Sequence, residues 1–261
     1  MSSKKINKKI RRFFDDMSYN RNRKISTNLI VNYEQEMRQK SVLYLLDLKK
    51  NNFVLDIGCG NARDLLVLAK KGIKCVGVDS SGGMVDEGLK ILKRYGFNNL
   101  KIYKADARTL PFKNNTFDKI ILSEVIEHIP DYKNAIKECK RVLKKEGILV
   151  ITTPNWHSLY GINRLILETI RVFIRLIKPV KKIHPYDKWK TQKEVIKILE
   201  EEGFRINKKI GICFIPSYTL TYYLSNQLKK IIIKTTSFVE ERLNKILTGK
   251  GYMIGVSAIK T

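Results

Sequence analysis

The chain predicts an α/β fold in which a mostly parallel sheet carries helices on both faces, and three observations support this. Short apolar runs alternate at regular intervals with segments of helical spacing. The run Val54, Leu55, Ile57 is apolar on consecutive positions, as in a strand covered on both faces. It breaks into Gly58-Cys59-Gly60 and then a helix, the turn a parallel strand needs to hand over to its crossover.

The elements follow in order. Residues 1–50 read as a basic tail followed by helical material, with Ile30, Val31, Tyr33, Met37, Leu43, Leu45 and Leu46 in apolar spacing. Strands are expected near 53–58, 74–79, 100–105, 118–123 and 147–153, with helices near 62–71, 82–95 and 132–145 between them. Thr191-Gln192-Lys193-Glu194 is a capping box that opens a helix to about Glu202. Gly203-Phe204 leads into a sixth strand, and Gly251 to Ile259 closes the chain as another.

Two stretches exceed this alternation. Over 156–190, Arg164, Glu168, Arg171, Arg175 and Lys178 make one narrow polar stripe on an otherwise apolar helix. The second, about 217–247, sets Tyr222, Tyr223, Leu224, Leu228 and Ile231 to Ile233 beside Lys229, Lys230 and Lys234. Both are basic and amphipathic, so each packs on its own domain, lies on a membrane surface or forms a dimer interface.

Lys and Arg number 51 against 25 Asp and Glu, a formal charge of +26. Such a balance biases a protein toward RNA, anionic lipid or acidic substrates, or serves as general solubilising charge. The four cysteines (Cys59, Cys75, Cys139, Cys213) show no C-x-x-C spacing, which fits a reducing compartment. The N-terminus has no apolar core of a secretory signal, and no run of 18 uncharged apolar residues exists. The expectation is a cytoplasmic protein, peripheral on the inner face of the membrane if the inserts dock there.

The chemistry gathers at strand ends. Asp79 ends the second strand nineteen residues after Gly60, where an acid can accept from both hydroxyls of a ribose. The third glycine of a dinucleotide fingerprint is replaced by Arg63, which favours a nucleoside ligand without phosphates. If the turn after the fourth strand is helical, Glu124, Glu127 and His128 share one face, able to hold a divalent ion or supply a general base.

Five blocks in order carry a resemblance: Asp56-Ile57-Gly58-Cys59-Gly60 with Val78-Asp79-Ser80-Ser81; Lys104-Ala105-Asp106-Ala107 with Leu110-Pro111-Phe112; Phe117 to Ile121; Glu124 to Ile129; and Arg141 to Leu149. Together they resemble class I S-adenosylmethionine-dependent methyltransferases (UbiE/UbiG-like, methyltransferase type 11 domain) over about residues 50–155. The resemblance implies a Rossmann-like seven-stranded sheet whose last strand is antiparallel, and 51–155 as the cofactor-binding core. Residues 1–50 would be tail and lid helices, 156–190 an insert, and 191–261 the rest of the fold. It also implies that Asp56, Gly58, Cys59 and Gly60 lie beside the amino-acid end of S-adenosylmethionine and that Asp79 takes the ribose. Ser80, Met84, Asp106 and Ala107 would border the adenine, and Ser123 would face the methionine portion. The block Glu124-x-x-Glu127-His128 is similar to that of ubiquinone-pathway O-methyltransferases and of metal-dependent RNA-end methyltransferases. This implies a metal held by Glu124, Glu127, His128 and His184, with His157 as an alternative fourth ligand. Without metal, His128 would act as base. The leading expectation is O-methylation of an amphipathic small molecule, a quinone or isoprenoid-lipid precursor. The rivals are an RNA methyltransferase and a non-catalytic cofactor-binding regulator.

Overall fold

The computed structural model describes residues 3–21, 29–158, 161, 186–214 and 224–261. His184, the stripe Arg164 to Lys178, and Tyr222 and Tyr223 lie outside them. Seven strands, β1 (Phe53–Ile57), β2 (Lys74–Asp79), β3 (Ile102–Lys104), β4 (Phe117–Ser123), β5 (Leu143–Pro154), β6 (Phe204–Ile212) and β7 (Met253–Lys260), form one sheet in the order β3-β2-β1-β4-β5-β7-β6. The first five pair in parallel, and β7 runs antiparallel to both β5 and β6. This is the expected Rossmann-like architecture. The chain leaves β1 toward β2 and later returns to β1's other side as β4, so a crevice opens at the C-terminal ends of β1 and β4.

Seven helices pack around it among the described residues: α1 (Ser3–Arg21), α2 (Leu29–Leu46), α3 (Arg63–Lys70), α4 (Gly82–Arg94), α5 (Tyr132–Val142), α6 (Gln192–Glu201) and α7 (Asn226–Ile246). The stretch that charge alone marks as a tail is therefore helical over Ser3–Arg21. Alternate strand residues serve two cores, because successive side chains leave a strand on opposite faces. Val54, Ile121 and Val150 pack with α2, α3 and α4, and Ile232 and Ile233 of α7 lie against the same cluster. Leu55, Ile57, Ile120 and Leu122 pack with α5 and α6.

Element ends follow local chemistry. The capping box is formed: Thr191 Oγ1 accepts from Glu194 N at 3.2 Å, and Glu194 Oε2 accepts from Thr191 N at 2.7 Å. The helix expected to reach residue 145 stops at Val142 instead. Leu143 already pairs with Phe117, and the Lys144–Gly147 stretch is a register irregularity within a longer β5.

Candidate active site

The glycine turn after β1 is held by backbone groups. Gly58 N and Cys59 N donate to Val78 O at 2.8 and 3.0 Å, locking the turn to the end of β2. Gly58 has φ +70° and its missing Cβ leaves room for the methyls of Val125, so no larger residue fits there. Asp79 secures the same turn: Oδ2 accepts from Gly60 N at 2.9 Å and Oδ1 from Ser81 N at 2.8 Å. The cap of α4 comes from Ser81, whose Oγ accepts from Met84 N at 3.1 Å, so Asp79 is left facing the crevice. Burial raises the Asp79 carboxyl, partly offset by those amide donors.

Two cavities meet at Gly58, Asn61 and Glu124. The first, about 420 Å³, is lined by Gly58, Gly60, Asp79, Ser80, Met84, Asp106, Ala107, Glu124 and His128 among the expected residues. The second, about 590 Å³, is lined by Asp56, Cys59 and Ser123 among others. Thus every expected cofactor residue borders one cavity or the other. Asp56 Oδ2 is buried with no hydrogen-bond partner. Burial first, then Asp64, pushes the Asp56 carboxyl well up. Cys59 turns its thiol over Gly77, where a Cβ would strike it. Asp106 is already engaged: Arg108 Nε and Arg108 Nη2 donate at 2.9 and 2.7 Å, and Arg11 Nη2 donates at 2.7 Å. These arginines, Arg108 foremost, hold its carboxyl down at about 2. An amine arriving at Asp106 has to share it with them.

The block after β4 departs from the expected single face. Glu124 sits at φ +57°, and only Ile126–His128 form a turn, of the tighter 3₁₀ type. Glu124 and His128 line the first cavity, whereas Glu127 turns away, is 1% exposed and accepts from Thr153 Oγ1 at 3.1 Å. The three side chains therefore do not converge as ligands, and among the described residues no group of three His, Cys, Asp or Glu side chains could hold a metal ion. His157 does not line either cavity. Although His128 Nε2 lies 3.9 Å from Glu127 Oε1, the expected divalent site is not formed among the described residues, and His184 lies outside them. Burial, and then Glu127, pushes Glu124 well up, while burial raises Glu127 to about 8. Glu34 of α2 is raised to about 7 by burial and by Glu124.

Several residues escaped the sequence reading. From α1, Asp15 Oδ1 accepts from Ser81 Oγ at 2.6 Å and from Gly83 N at 3.1 Å, and Phe14 meets the His128 ring edge-on at 5.4 Å. With the Arg11–Asp106 pair, these contacts lay α1 over the first cavity. From α2, buried Arg38 clasps Asp64 with two bonds, 2.7 and 3.0 Å, and donates to Ser123 Oγ at 2.7 Å. Ser123 Oγ meets Thr152 Oγ1 at 2.6 Å, which donates to Glu124 Oε1 at 3.2 Å. A continuous polar relay thus runs from Asp64 to Glu124. Nothing in the sequence marks Arg38 for burial, because it stands in the mostly polar run Glu34 to Lys40.

A parallel sheet with a switch-point crevice, a glycine turn, and an acid at the tip of β2 define a nucleoside-cofactor site of the class I methyltransferase type. A family model described as a methyltransferase domain matches residues 48–230, and the chain belongs to that family. It is an S-adenosylmethionine-dependent methyltransferase. Among its relatives is an uncharacterized protein of Methanocaldococcus jannaschii, 30% identical over 236 residues, covering 89% of this chain and 90% of that one. A demethylmenaquinone methyltransferase of Geobacillus stearothermophilus is 29% identical over 162 residues, 60% of this chain and 68% of the relative. In solved structures the fold matches a SAM-dependent methyltransferase of Thermotoga maritima with TM-score 0.68 and 19% identity, covering 96% of this chain and 99% of that one.

Proposed function

We propose that this methyltransferase O-methylates an amphipathic small molecule of the quinone or isoprenoid-lipid precursor class. The observation that carries the reading is the apolar wall of the first cavity. It is built from Ile10, Phe13, Phe14, Met17, Val125 and Ile129, with Arg11, Glu124 and His128 as ionisable groups beside them. Such a wall accepts a flat apolar ring and offers a base to a hydroxyl on it. The demethylmenaquinone methyltransferase among the relatives agrees in substrate type.

The residues present suit S-adenosylmethionine. Asp79, which lines the same cavity, would take the ribose hydroxyls, and Ser80, Met84 and Ala107 would border the base. The unpartnered Asp56 Oδ2 suits an ammonium. Bound S-adenosylmethionine supplies an electrophilic methyl on a sulfonium that departs as a neutral thioether. The chain's own work is to align the acceptor, exclude water and take the hydroxyl proton. The α1 helix, held by Arg11, Phe14 and Asp15, closes the cavity against solvent. Glu124 Oε1 is fixed by Thr152 and lines the cavity, so its carboxylate receives the proton, with His128 beside the acceptor. Because burial and Glu127 raise the carboxyl, it holds a proton more readily than an exposed glutamate and acts as a base only once ionised.

The test is methyl transfer from labelled S-adenosylmethionine to hydroquinones carrying short isoprenoid tails, with RNA assayed in parallel. Methylated hydroxyl in the organic phase is the expected product. Label on the ring carbon would correct the atom, and label confined to RNA would replace the acceptor class.

A further inference from the structure

We propose that the outward face of α7 docks this protein on an anionic membrane surface. The helix packs on β6 and α2 with one side. On that side Glu240 is buried and its Oε2 accepts from Tyr33 Oη at 3.4 Å, with Ile232 and Ile233 against the core. The other side is apolar at its centre. Phe238 is 79% exposed and Ile231, two turns earlier on the same face, 56%, with Leu228 and Ile246 along one border. Large side chains left this open on one helix form a patch, which soluble surfaces rarely keep without use.

The charges around the patch select the occupant. Lys230, Lys234 and Arg242 are exposed on the outward side and Lys245 reaches over the Tyr44 ring of α2 at 5.5 Å, while one of the helix's two acids, Glu240, is buried. Aliphatic and aromatic groups rimmed by cations are the pattern of a helix lying in the interface plane of a bilayer with anionic headgroups. A nucleic acid would match the cations but would gain nothing from Ile231, Leu228 and Ile246, which cannot stack on bases. The hydroxyls on this face are spent within the helix: Thr235 Oγ1 donates to Ile231 O and Ser237 Oγ to Lys234 O, each at 3.0 Å. Little polar desolvation opposes entry into the headgroup layer.

Placement fits as well. β6 ends at Ile212 opposite Met253, and Met253 also pairs with Pro154 at the end of β5. The excursion that carries α7 therefore leaves and rejoins the sheet at the edge where Ser123 and Glu124 stand. Asn155 ties its return, donating to Gly249 O and Gly251 O at 3.0 Å. A membrane held by α7 would lie on the catalytic side of the sheet. The proposal does not depend on which acceptor is methylated.

The experiment is sedimentation of the full chain with vesicles of equal parts phosphatidylcholine and phosphatidylglycerol, against phosphatidylcholine alone. Binding to the mixed vesicles only, weakening as salt rises, is expected. Each basic residue near an anionic surface contributes roughly fivefold in affinity. Lys230→Glu with Lys234→Glu and Arg242→Glu should therefore lower binding at least about a hundredfold. Ile231→Glu with Phe238→Glu should lower it at least about tenfold, with S-adenosylmethionine affinity unchanged in both variants. No binding by the natural protein overturns the proposal. So does equal binding to both vesicles, or undiminished binding by the variants, which would move the contact to another part of the chain. A dimer in light scattering that Ile231→Glu with Phe238→Glu dissolves would give the face to a second copy and likewise overturn it.

Discussion

The two walls of the proposed catalytic cavity, one for cofactor and one for acceptor, are built in different ways. The cofactor wall is nearly all local: Asp56 to Gly60 turns on itself, and Asp79 reaches back over one crossover to fasten Gly60 N. The acceptor wall is assembled from a distance, with α1 and α2 meeting the turn after β4. Asp15 reaches Ser81 across 66 positions, and Arg38 reaches Ser123 across 85. One wall fixes backbone, and the other fixes side-chain charge and shape. Substitutions on the first should therefore act on cofactor binding, and on the second on turnover and acceptor choice.

The largest expected effect tests the first wall. Asp79→Ala removes the proposed ribose acceptor together with the fastening of Gly60. With hydrogen bonds to a charged group worth about 1.5–3 kcal/mol each, S-adenosylmethionine affinity should fall by about a hundredfold or more in calorimetry. A loss below tenfold would mean the ribose is held elsewhere. Next, Glu124→Gln should lower kcat by about a hundredfold or more, the usual range for a general base, and leave cofactor affinity nearly unchanged. A matching loss of cofactor affinity would erase the distinction between the walls. Third, Arg11→Ala with Asp15→Ala should raise the acceptor KM about tenfold through loss of closure. The melting temperature should scarcely move, because exposed pairs contribute about 1 kcal/mol or less, and Arg11 is 45% exposed. A large drop in stability would make α1 part of the fold and not a cover.

This difference also explains what the sequence disclosed. Strand positions, the glycine turn and Asp79 were legible because each rests on neighbours within one βαβ unit. The cover formed by α1 was not, since lysines and arginines on a helix carry no mark of which distant carboxylate they will meet. The shared face expected of Glu124, Glu127 and His128 did not form, for another reason. Their spacing fits an α-helical face, but Glu124 at φ +57° breaks the helix before it starts. The break follows from packing, with Val125 filling the space that Gly58 leaves open. Tertiary contact overrode local period at the point where the proposed catalytic side chains are aimed.

The smallest expected effect separates Glu127 from Asp106 by pH. Glu127 is raised from an ordinary 4.5 to about 8 by burial, so between those values the folded chain holds a proton that the unfolded chain has lost. Its contribution is full below about 4.5 and declines as pH rises through about 8, at no more than about 1.4 kcal/mol per pH unit. Asp106 runs the opposite way. Held down to about 2 from 3.8, chiefly by Arg108, it stabilises the fold above that ordinary value and ceases to do so as pH falls through about 2. Thermal unfolding of the ligand-free chain should therefore show an alkaline decline to which Glu127 contributes beside other raised carboxyls, among them Glu34, Glu124, Asp56 and Asp79, and an acid decline to which Asp106 contributes. Glu127→Gln keeps an oxygen for Thr153 Oγ1 and should lessen the alkaline decline without changing the acid one, while Asp106→Asn should lessen only the acid one. A Glu127→Gln profile that still falls as steeply between about pH 5 and 8 would place the proton on Glu124 or Glu34 instead, making the buried carboxyls one shared acid and not a base with a structural neighbour.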